Sequence, residues 1–325
     1  MALKGFSKPS IYVVGFIIIA LLIIVITVSR NIIYKTTYSL EPTYIICIPQ
    51  GGLIDMCSVI YRCHEYAKKY QRILLIDTTS GWFNDDINDY LQFHSPFIYT
   101  GHPNTLNYKI KDLSVYPNSV DIMNPKFPER RKNTEGLGFS FFLNDRNLSY
   151  SLDKNFDERI LVYSMYRQSG FHFNDLLRIS TLSDMVKKAY WSARSKLPSY
   201  YVGVHIRNTD YISNVPDFLK MHEKQFAEKA LFIATDNVNS LELFKEKYSS
   251  NVFSFTHIPD NSGNPLHEGS NRTKEESRKY NIDTFVDLLL LGTANEYYYS
   301  CKESGFSLAV VELRNEDGLI RRLLK

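Results

Sequence analysis

The sequence predicts an α/β fold with parallel sheets, preceded by a membrane-spanning helix. Runs of β-branched and aromatic residues alternate with helical patterns, which is typical of strands joined by helical crossovers. Polar clusters follow several of these runs, and the carboxyl ends of parallel strands share one edge of a sheet. Residues 11–29 form an uncharged stretch dominated by Ile, Val and Leu.

Composition places the chain among folded globular proteins. It has 325 residues, of which 44% are hydrophobic and 14% aromatic, enough for two domains with sizeable cores. The formal net charge is only +3, and the basic residues are scattered apart from a short run at 130–132. A nucleic-acid partner is therefore not expected.

The uncharged stretch is long enough to cross the hydrocarbon core, which predicts an anchor at 11–29 after a short tail, 1–10. A cleaved signal peptide is the alternative, but its apolar region is usually shorter and ends in a small-residue cleavage site. Basic residues flank both sides, and their balance favours a cytosolic amino terminus. We therefore expect a single-pass type II protein of a Golgi or ER-type membrane, with its globular part in the lumen.

Two further features concern that compartment. Sequons begin at Asn147 and Asn271 and are compatible with a lumen. The four cysteines match no zinc or redox spacing, so buried free thiols are expected, with one or two disulfides left open.

After a connector, 30–42, the first elements form a strand, turn, helix and strand. Strands are predicted at 44–48 and 72–77 and a helix at 53–70, and Gly51 and Gly52 form the first turn. This is the pattern of half a nucleotide-binding fold, because glycine admits a ligand close to the backbone and a helix amino terminus favours an anion. A plain tight turn is the alternative.

The region that follows has little periodicity. We interpret residues 77–155 as loops and short elements around an acceptor site, with a short helix at 85–93.

Alternation becomes clear again towards the carboxyl terminus. A strand at 159–163 and a long helix at 174–197 lead to a second domain that begins at 198. The further predicted strands and helices are, in order, 201–206, 231–234, 238–248, 252–255, 274–291 and 296–299. Three polar clusters, 205–210, 235–237 and 300–307, would then share one sheet edge.

Arg207 directly follows the buried-strand pattern of 201–206. Ligands bind at this edge of open α/β sheets, and a guanidinium there can hold a diphosphate bidentately. The alternative is a solvated strand end in which His205, Arg207 and Asp210 make a local ion pair.

The polar clusters resemble the motifs of a known family. Residues 205–210, His-Ile-Arg-Asn-Thr-Asp, resemble the first motif, His-x-Arg-Arg-x-Asp, of the fucosyltransferase superfamily, which includes α1,6-, α1,2-, nodulation and protein O-fucosyltransferases. Residues 232–237 resemble its Ala-Thr-Asp strand end, 285–291 its Asp-Leu-x-x-Leu helix, and 304–307, Ser-Gly-Phe-Ser, its serine-bearing turn beneath the donor phosphates. The resemblance covers about 200–313, and 49–77 match more loosely.

This resemblance implies a GT-B-like enzyme of two Rossmann-like domains, 43–197 on the acceptor side and 198–325 on the donor side. It implies an inverting transfer of fucose from GDP-fucose to a glycan or glycoprotein, without an essential metal or cofactor. Its motifs assign the cation on the leaving diphosphate to Arg207, and the remaining donor contacts to His205, Asp236, Asp287, Ser304, Gly305, Phe306, Ser307, Gly51 and Gly52.

Several of these residues have a structural alternative. His205 could be a hydrogen-bonded strand-end histidine, Asp236 could cap the helix near Val238, and the serines of 304–307 could be ordinary turn residues. Asp287 favours function more strongly, because a carboxylate bordering the apolar stripe of a helix needs a partner.

The chain departs from the family at two positions. Asn208 stands where many relatives carry a second arginine, although the protein O-fucosyltransferase branch manages with one. The general base has no clear counterpart: Asp217 is a candidate, and Asp210 or an acid of the amino-terminal half remains open.

Three other functions stay open at this point. One is an inactive sugar-nucleotide or glycan-binding membrane protein with this fold, and another is a transferase that uses a different nucleotide sugar. The third is a metal-dependent GT-A-type transferase with Asp85 and Asp86 as ligands, although these acids are better suited to opening a helix.

Overall fold

The computed structural model describes residues 42–79, 81–100, 112–117, 129–132, 139–143, 146–147, 152–165, 172–209, 211–258 and 272–325. Residues Thr43–Lys325 form one compact unit. Among the helices that the structure describes, none is both long and apolar enough to cross a bilayer. The anchor predicted at 11–29 lies outside the described residues.

Two parallel sheets organise the unit. The first is built from the amino-terminal half and has five parallel strands, which lie side by side in the order 98–99, 73–76, 44–49, 160–165 and 115–116. Its elements and the short strands around it are β1 Tyr44–Pro49, α1 Leu53–Tyr70, β2 Ile73–Ile76, β3 Leu91–Phe93, β4 Ile98–Tyr99, β5 Val115–Tyr116, β6 Glu129–Lys132, β7 Phe139–Leu143, β8 Arg146–Asn147 and β9 Ile160–Met165.

The second sheet has four parallel strands, which lie side by side in the order 252–253, 231–235, 202–206 and 296–299. The elements from residue 173 onwards are α2 Phe173–Arg178, β10 Ser180–Leu182, α3 Asp184–Arg194, β11 Val202–Ile206, α4 Val215–Met221, α5 Glu223–Phe226, β12 Leu231–Thr235, α6 Val238–Tyr248, β13 Val252–Phe253, α7 Lys274–Thr293, β14 Glu296–Tyr299, α8 Gly305–Asn315 and α9 Asp317–Leu324. The predicted α/β architecture with parallel sheets is therefore confirmed.

The strand patterns explain these sheets. Strands β1, β9, β11 and β12 are buried along their whole length, as expected for parallel strands covered on both faces. Gly203 lets β11 approach the end of α7, because a Cβ at this position would lie 2.9 Å from that of Ala294. This close contact sets how near β11 lies to the end of α7, and β11 leads directly into Arg207.

Two predicted helices are wrong. The stretch 174–197 is divided into α2, β10 and α3, because β10 pairs antiparallel with β3 and Ser183 then caps α3. The stretch 85–93 contains only a 3₁₀ turn, Ile87–Asp89, before β3. In both cases a pairing between segments distant in sequence overrides local helical periodicity.

All four cysteines are buried free thiols, as expected. Residues 1–41 and Asn271 lie outside the described residues, as does most of the loop region, 101–111 and 118–128 included.

Candidate active site

A cleft of about 460 Å³ lies where strands from both sheets end. It is lined by residues of the glycine turn and first turn of α1, the 82–83 loop, the loop after β11, the residue before the cap of α7, the second and third turns of α7, and the start of α8 with the turn before it. The lining residues are Gly51, Gly52, Leu53, Ile54, Asp55, Met56, Trp82, Phe83, Arg207, Tyr211, Arg272, Tyr280, Asn281, Thr284, Glu303, Ser304, Gly305 and Phe306.

Two helix amino termini open on this cleft. Helix α1 begins after β1 through Gly51 and Gly52, and Gly51 has φ +98°, a conformation that favours glycine. Helix α8 begins at Gly305 after β14, with Ser304 as its N-cap accepting a hydrogen bond from the Ser307 backbone N–H. Because the first N–H groups of a helix lack partners within it, both ends offer donors and positive potential to an anion.

Arg207 enters the same cleft from the end of β11. Its guanidinium Nη1 lies 2.9 Å from Asp236 Oδ2, and its backbone N–H donates to Ser300 Oγ at 3.1 Å. The Ser213 hydroxyl donates to the Arg207 carbonyl at 2.5 Å. Arg207 is thus held by residues that follow β12 and β14 and by the loop before α4, and it does not extend into solvent.

Asp236 organises this loop. Its Oδ1 accepts from the Asn208 backbone N–H at 2.8 Å, and its Oδ2 accepts from the Thr209 hydroxyl at 2.7 Å. The cap of α6 is the neighbouring Asn237, whose side chain accepts from the Ser240 N–H. Asp236 therefore positions the first motif, and the alternative that it caps α6 is wrong.

His205 lies beneath the turn before α8. Its Nδ1 is 2.7 Å from Ser307 Oγ, and its ring centroid is 4.9 Å from that of Phe306. Burial, with the nearby Arg207 charge, lowers the pKa of His205 to about 3, so the imidazole is neutral at physiological pH. His205 and Ser307 join β11 to α8 and do not line the cleft themselves.

Asp287 is buried on α7. Its Oδ2 accepts from the Thr256 hydroxyl at 2.7 Å, whereas its Oδ1 has no hydrogen-bond partner among the described residues. Burial raises the pKa of Asp287 to about 8, and the nearby Asp283 acts in the same direction. Asp287 is not among the residues that line the cleft, and its unsatisfied Oδ1 is enclosed by the protein.

The candidate bases and metal ligands fall in different places. Asp217 is exposed in the first turn of α4, where its Oδ2 accepts from Asn214 Nδ2 at 2.6 Å, and it does not line the cleft. Asp210 lies outside the described residues. Asp85 is buried and accepts hydrogen bonds from the Tyr90 hydroxyl and Arg278 Nε, while Asp86 caps the 3₁₀ turn.

Several cleft residues had no sequence signal that singled them out. Asp55 and Glu303 are acids of the cleft, and Arg272 is a second arginine there. Asp55 is in the first turn of the helix after the glycine pair, and Arg272 immediately precedes the Thr273 cap of α7. Only these positions next to helix starts hinted at their location.

No family model matches the sequence, and no curated protein does either. Solved structures share the fold. The NodZ α-1,6-fucosyltransferase co-crystallized with GDP matches with a TM-score of 0.57 at 13% identity, over 84% of this chain and 93% of that one. NodZ soaked with GDP-fucose gives 0.58 at 14% identity, over 84% and 93% of the two chains.

NodZ from Bradyrhizobium gives a TM-score of 0.55 at 14% identity, over 84% of this chain and 94% of that one. The chain therefore shares the fold of these fucosyltransferase structures.

Proposed function

We propose that this chain is a membrane-anchored glycosyltransferase that moves fucose from GDP-fucose to a glycan or glycoprotein acceptor with inversion. The observation that carries the proposal is the convergence of Arg207 and two helix amino termini, at Leu53 and Gly305, on one cleft. A nucleotide diphosphate is the leaving group that this arrangement suits.

The chemistry follows from where charge develops. When the bond between sugar and diphosphate breaks, negative charge grows on the leaving phosphate, and preorganised donors aimed there stabilise the transition state. Arg207 supplies a full charge, and each helix amino terminus adds about half a charge. Asp236 and Ser300 hold Arg207 in place.

Fucose as the transferred sugar rests on the fold and the motifs together. NodZ structures with this fold were obtained with GDP and with GDP-fucose. Asp287, to which the motifs assign a donor contact, is not among the residues that line the cleft, so its role in nucleotide binding stays a prediction.

The acceptor hydroxyl needs a base close to the sugar. Asp55 is an acid of the amino-terminal half that lines the cleft, and we assign it this role in preference to the exposed Asp217. The other acid of the lining, Glu303, directly precedes the N-cap of the phosphate-side helix α8. Both acids lie next to a helix amino terminus of the cleft, so the assignment to Asp55 rests on its place in the amino-terminal half, which the resemblance makes the acceptor side.

Activity is tested on the full-length protein in detergent with a panel of nucleotide sugars and a mixture of glycan acceptors. We expect acceptor-dependent release of GDP from GDP-fucose, and Arg207→Ala should lower its rate about a hundredfold or more. Arg321→Ala is the matched control, because this arginine is exposed on α9 and does not line the cleft.

Each alternative has its own outcome in this assay. Protein that binds GDP but releases none from any donor is the inactive binding protein, for which the inward-turned Asn208 is the motivation. Release of a nucleotide from a different nucleotide sugar would change the proposed donor but leave the proposed glycosyl transfer in place. An unaltered rate in Arg207→Ala contradicts the proposed site.

The membrane anchor and luminal placement are also part of the proposal and rest on the uncharged stretch 11–29. Alkaline carbonate extraction of membranes, with protease protection of a carboxyl-terminal tag, tests both. The chain should stay in the pellet, and its tag should be protected in sealed vesicles. Release into the carbonate supernatant contradicts the anchor.

A further inference from the structure

Asn208 occupies the place of the second arginine, and its side chain is turned into the protein. Its Nδ2 donates to Ser240 Oγ at 3.0 Å, and its Oδ1 accepts from the Ser213 backbone N–H at 3.0 Å. The amide thus joins the β11 loop to α6 and closes the loop on itself, and Asn208 is not among the residues that line the cleft. This position supplies no charge to a bound anion.

A second arginine reaches the cleft from another element. Arg272 precedes α7, the helix whose residues Tyr280, Asn281 and Thr284 form one wall of the cleft. Arg272 lines the same cleft as Arg207, although the two arginines are 65 residues apart in the chain.

Contacts within the protein orient Arg272 towards this cleft. Its guanidinium carbon lies 4.5 Å from the ring centroid of Tyr280, a cation–π arrangement that favours one side-chain orientation. Its backbone carbonyl accepts from Asn84 Nδ2 at 3.2 Å, and the adjacent Thr273 and Glu276 close a capping box. Both the backbone and the side chain of Arg272 are therefore held.

We propose that Arg272 is the second cation that binds the diphosphate of the donor, in place of the arginine missing at position 208. This inference rests on the proposed function and goes beyond it by assigning the diphosphate clamp to two different elements, the loop after β11 and the segment before α7. The acids Asp55 and Glu303 also line the cleft, so Arg207 alone would face two carboxylates as well as the diphosphate. A second guanidinium offsets that negative charge.

The test compares the binding of GDP and GMP to full-length protein in detergent by titration calorimetry. Arg272→Gln should weaken GDP about tenfold or more, because a charged hydrogen bond is lost, and should weaken GMP clearly less. Arg272→Lys, which keeps the charge without the planar fork, should give an intermediate loss. Lys279→Gln is the matched control, since this exposed residue of α7 carries the same charge and does not line the cleft.

The outcomes separate this inference from the proposed function. Unchanged GDP affinity in Arg272→Gln overturns the inference while leaving the function intact, and equal losses for GDP and GMP overturn the assignment to the diphosphate. Absence of GDP binding by the unmodified protein contradicts the proposed function and, with it, this inference. If Arg272→Gln does not fold, the ratio of GDP to GMP affinity in Arg272→Lys decides the question.

Discussion

Asp236 Oδ2 lies 2.9 Å from Arg207 Nη1, so the carboxylate that ends β12 holds the cation that follows β11. The same carboxylate also binds the Asn208 backbone N–H and the Thr209 hydroxyl. Three consecutive residues of the first motif thus depend on one side chain from the neighbouring strand. The orientation of Arg207 in the cleft is set by this pairing.

Asp236→Asn should weaken GDP binding about tenfold, because the neutral amide removes the ion pair and leaves fewer acceptors for the loop. In an Arg207→Ala background the same change should have little further effect, since Asp236 acts on the diphosphate through the orientation of Arg207. Calorimetric titration of the four proteins completes this double-mutant cycle. Additive losses would show that Asp236 acts independently of Arg207.

Gly51→Ala should lower the free energy of unfolding by about 1–3 kcal/mol, because alanine is strained at a φ of +98°. An added Cβ would also lie 2.9 Å from the Cβ of Asp55. Gly52→Ala is the matched control, as its φ is −66° and a Cβ there meets nothing within 4 Å. Equal unfolding midpoints in denaturant for both variants would contradict the role assigned to Gly51.

Asp287→Asn should stabilise the unliganded protein increasingly as the pH rises from about 4 to about 8. The pKa of Asp287 is raised from 3.8 to about 8, so its contribution is fully present below 3.8 and is lost as the pH rises through about 8. Asparagine does not titrate, so the difference in free energy of unfolding between Asp287→Asn and the unmodified protein should reach the order of a few kcal/mol at about pH 8.

Thermal unfolding of both proteins at several pH values measures this effect. Asp157→Asn, in an exposed loop, provides the same chemical change without burial. A difference between Asp287→Asn and the unmodified protein that stays constant with pH would refute the buried, protonated carboxyl group.

GDP release should be unaffected by a chelator and should not increase when Mg²⁺ or Mn²⁺ is added. Asp85, the acid that a metal-dependent mechanism would use, is bonded to Tyr90 and Arg278. Burial raises its pKa, but these hydrogen bonds outweigh burial and bring the pKa of Asp85 below its ordinary value. Loss of activity in EDTA that returns with Mn²⁺ would favour the metal-dependent alternative.

Asp85→Asn separates a structural role from a metal-binding one. We expect it to lower stability by about 1–3 kcal/mol, because Arg278 and Tyr90 lose a charged acceptor, although the partial exposure of Arg278 moderates the loss. The rate of GDP release by the folded variant should be unchanged. A folded variant without activity would place Asp85 in the chemistry.

Local sequence patterns were sufficient to predict elements whose limits depend on neighbouring residues. The helices at Leu53–Tyr70 and Val238–Tyr248 and the strand at Glu296–Tyr299 have the predicted limits, because each has a clear period and recognisable ends. Local patterns gave the wrong element at 85–93 and 174–197, where β3 and β10 pair across almost ninety residues of sequence. A hydrogen-bond partner that distant leaves no mark in a window of ten residues.

The sequence alone was enough to predict parallel sheets, the polar strand ends and the four motifs, because alternation and residue type are properties of short segments. The tertiary structure decided which of those residues share a cleft. It turned Asn208 inward, placed His205 and Asp236 as supports, and brought Arg272 and Asp55 to the cleft beside Arg207. These assignments depend on packing between segments far apart in the chain, which determines where each side chain points.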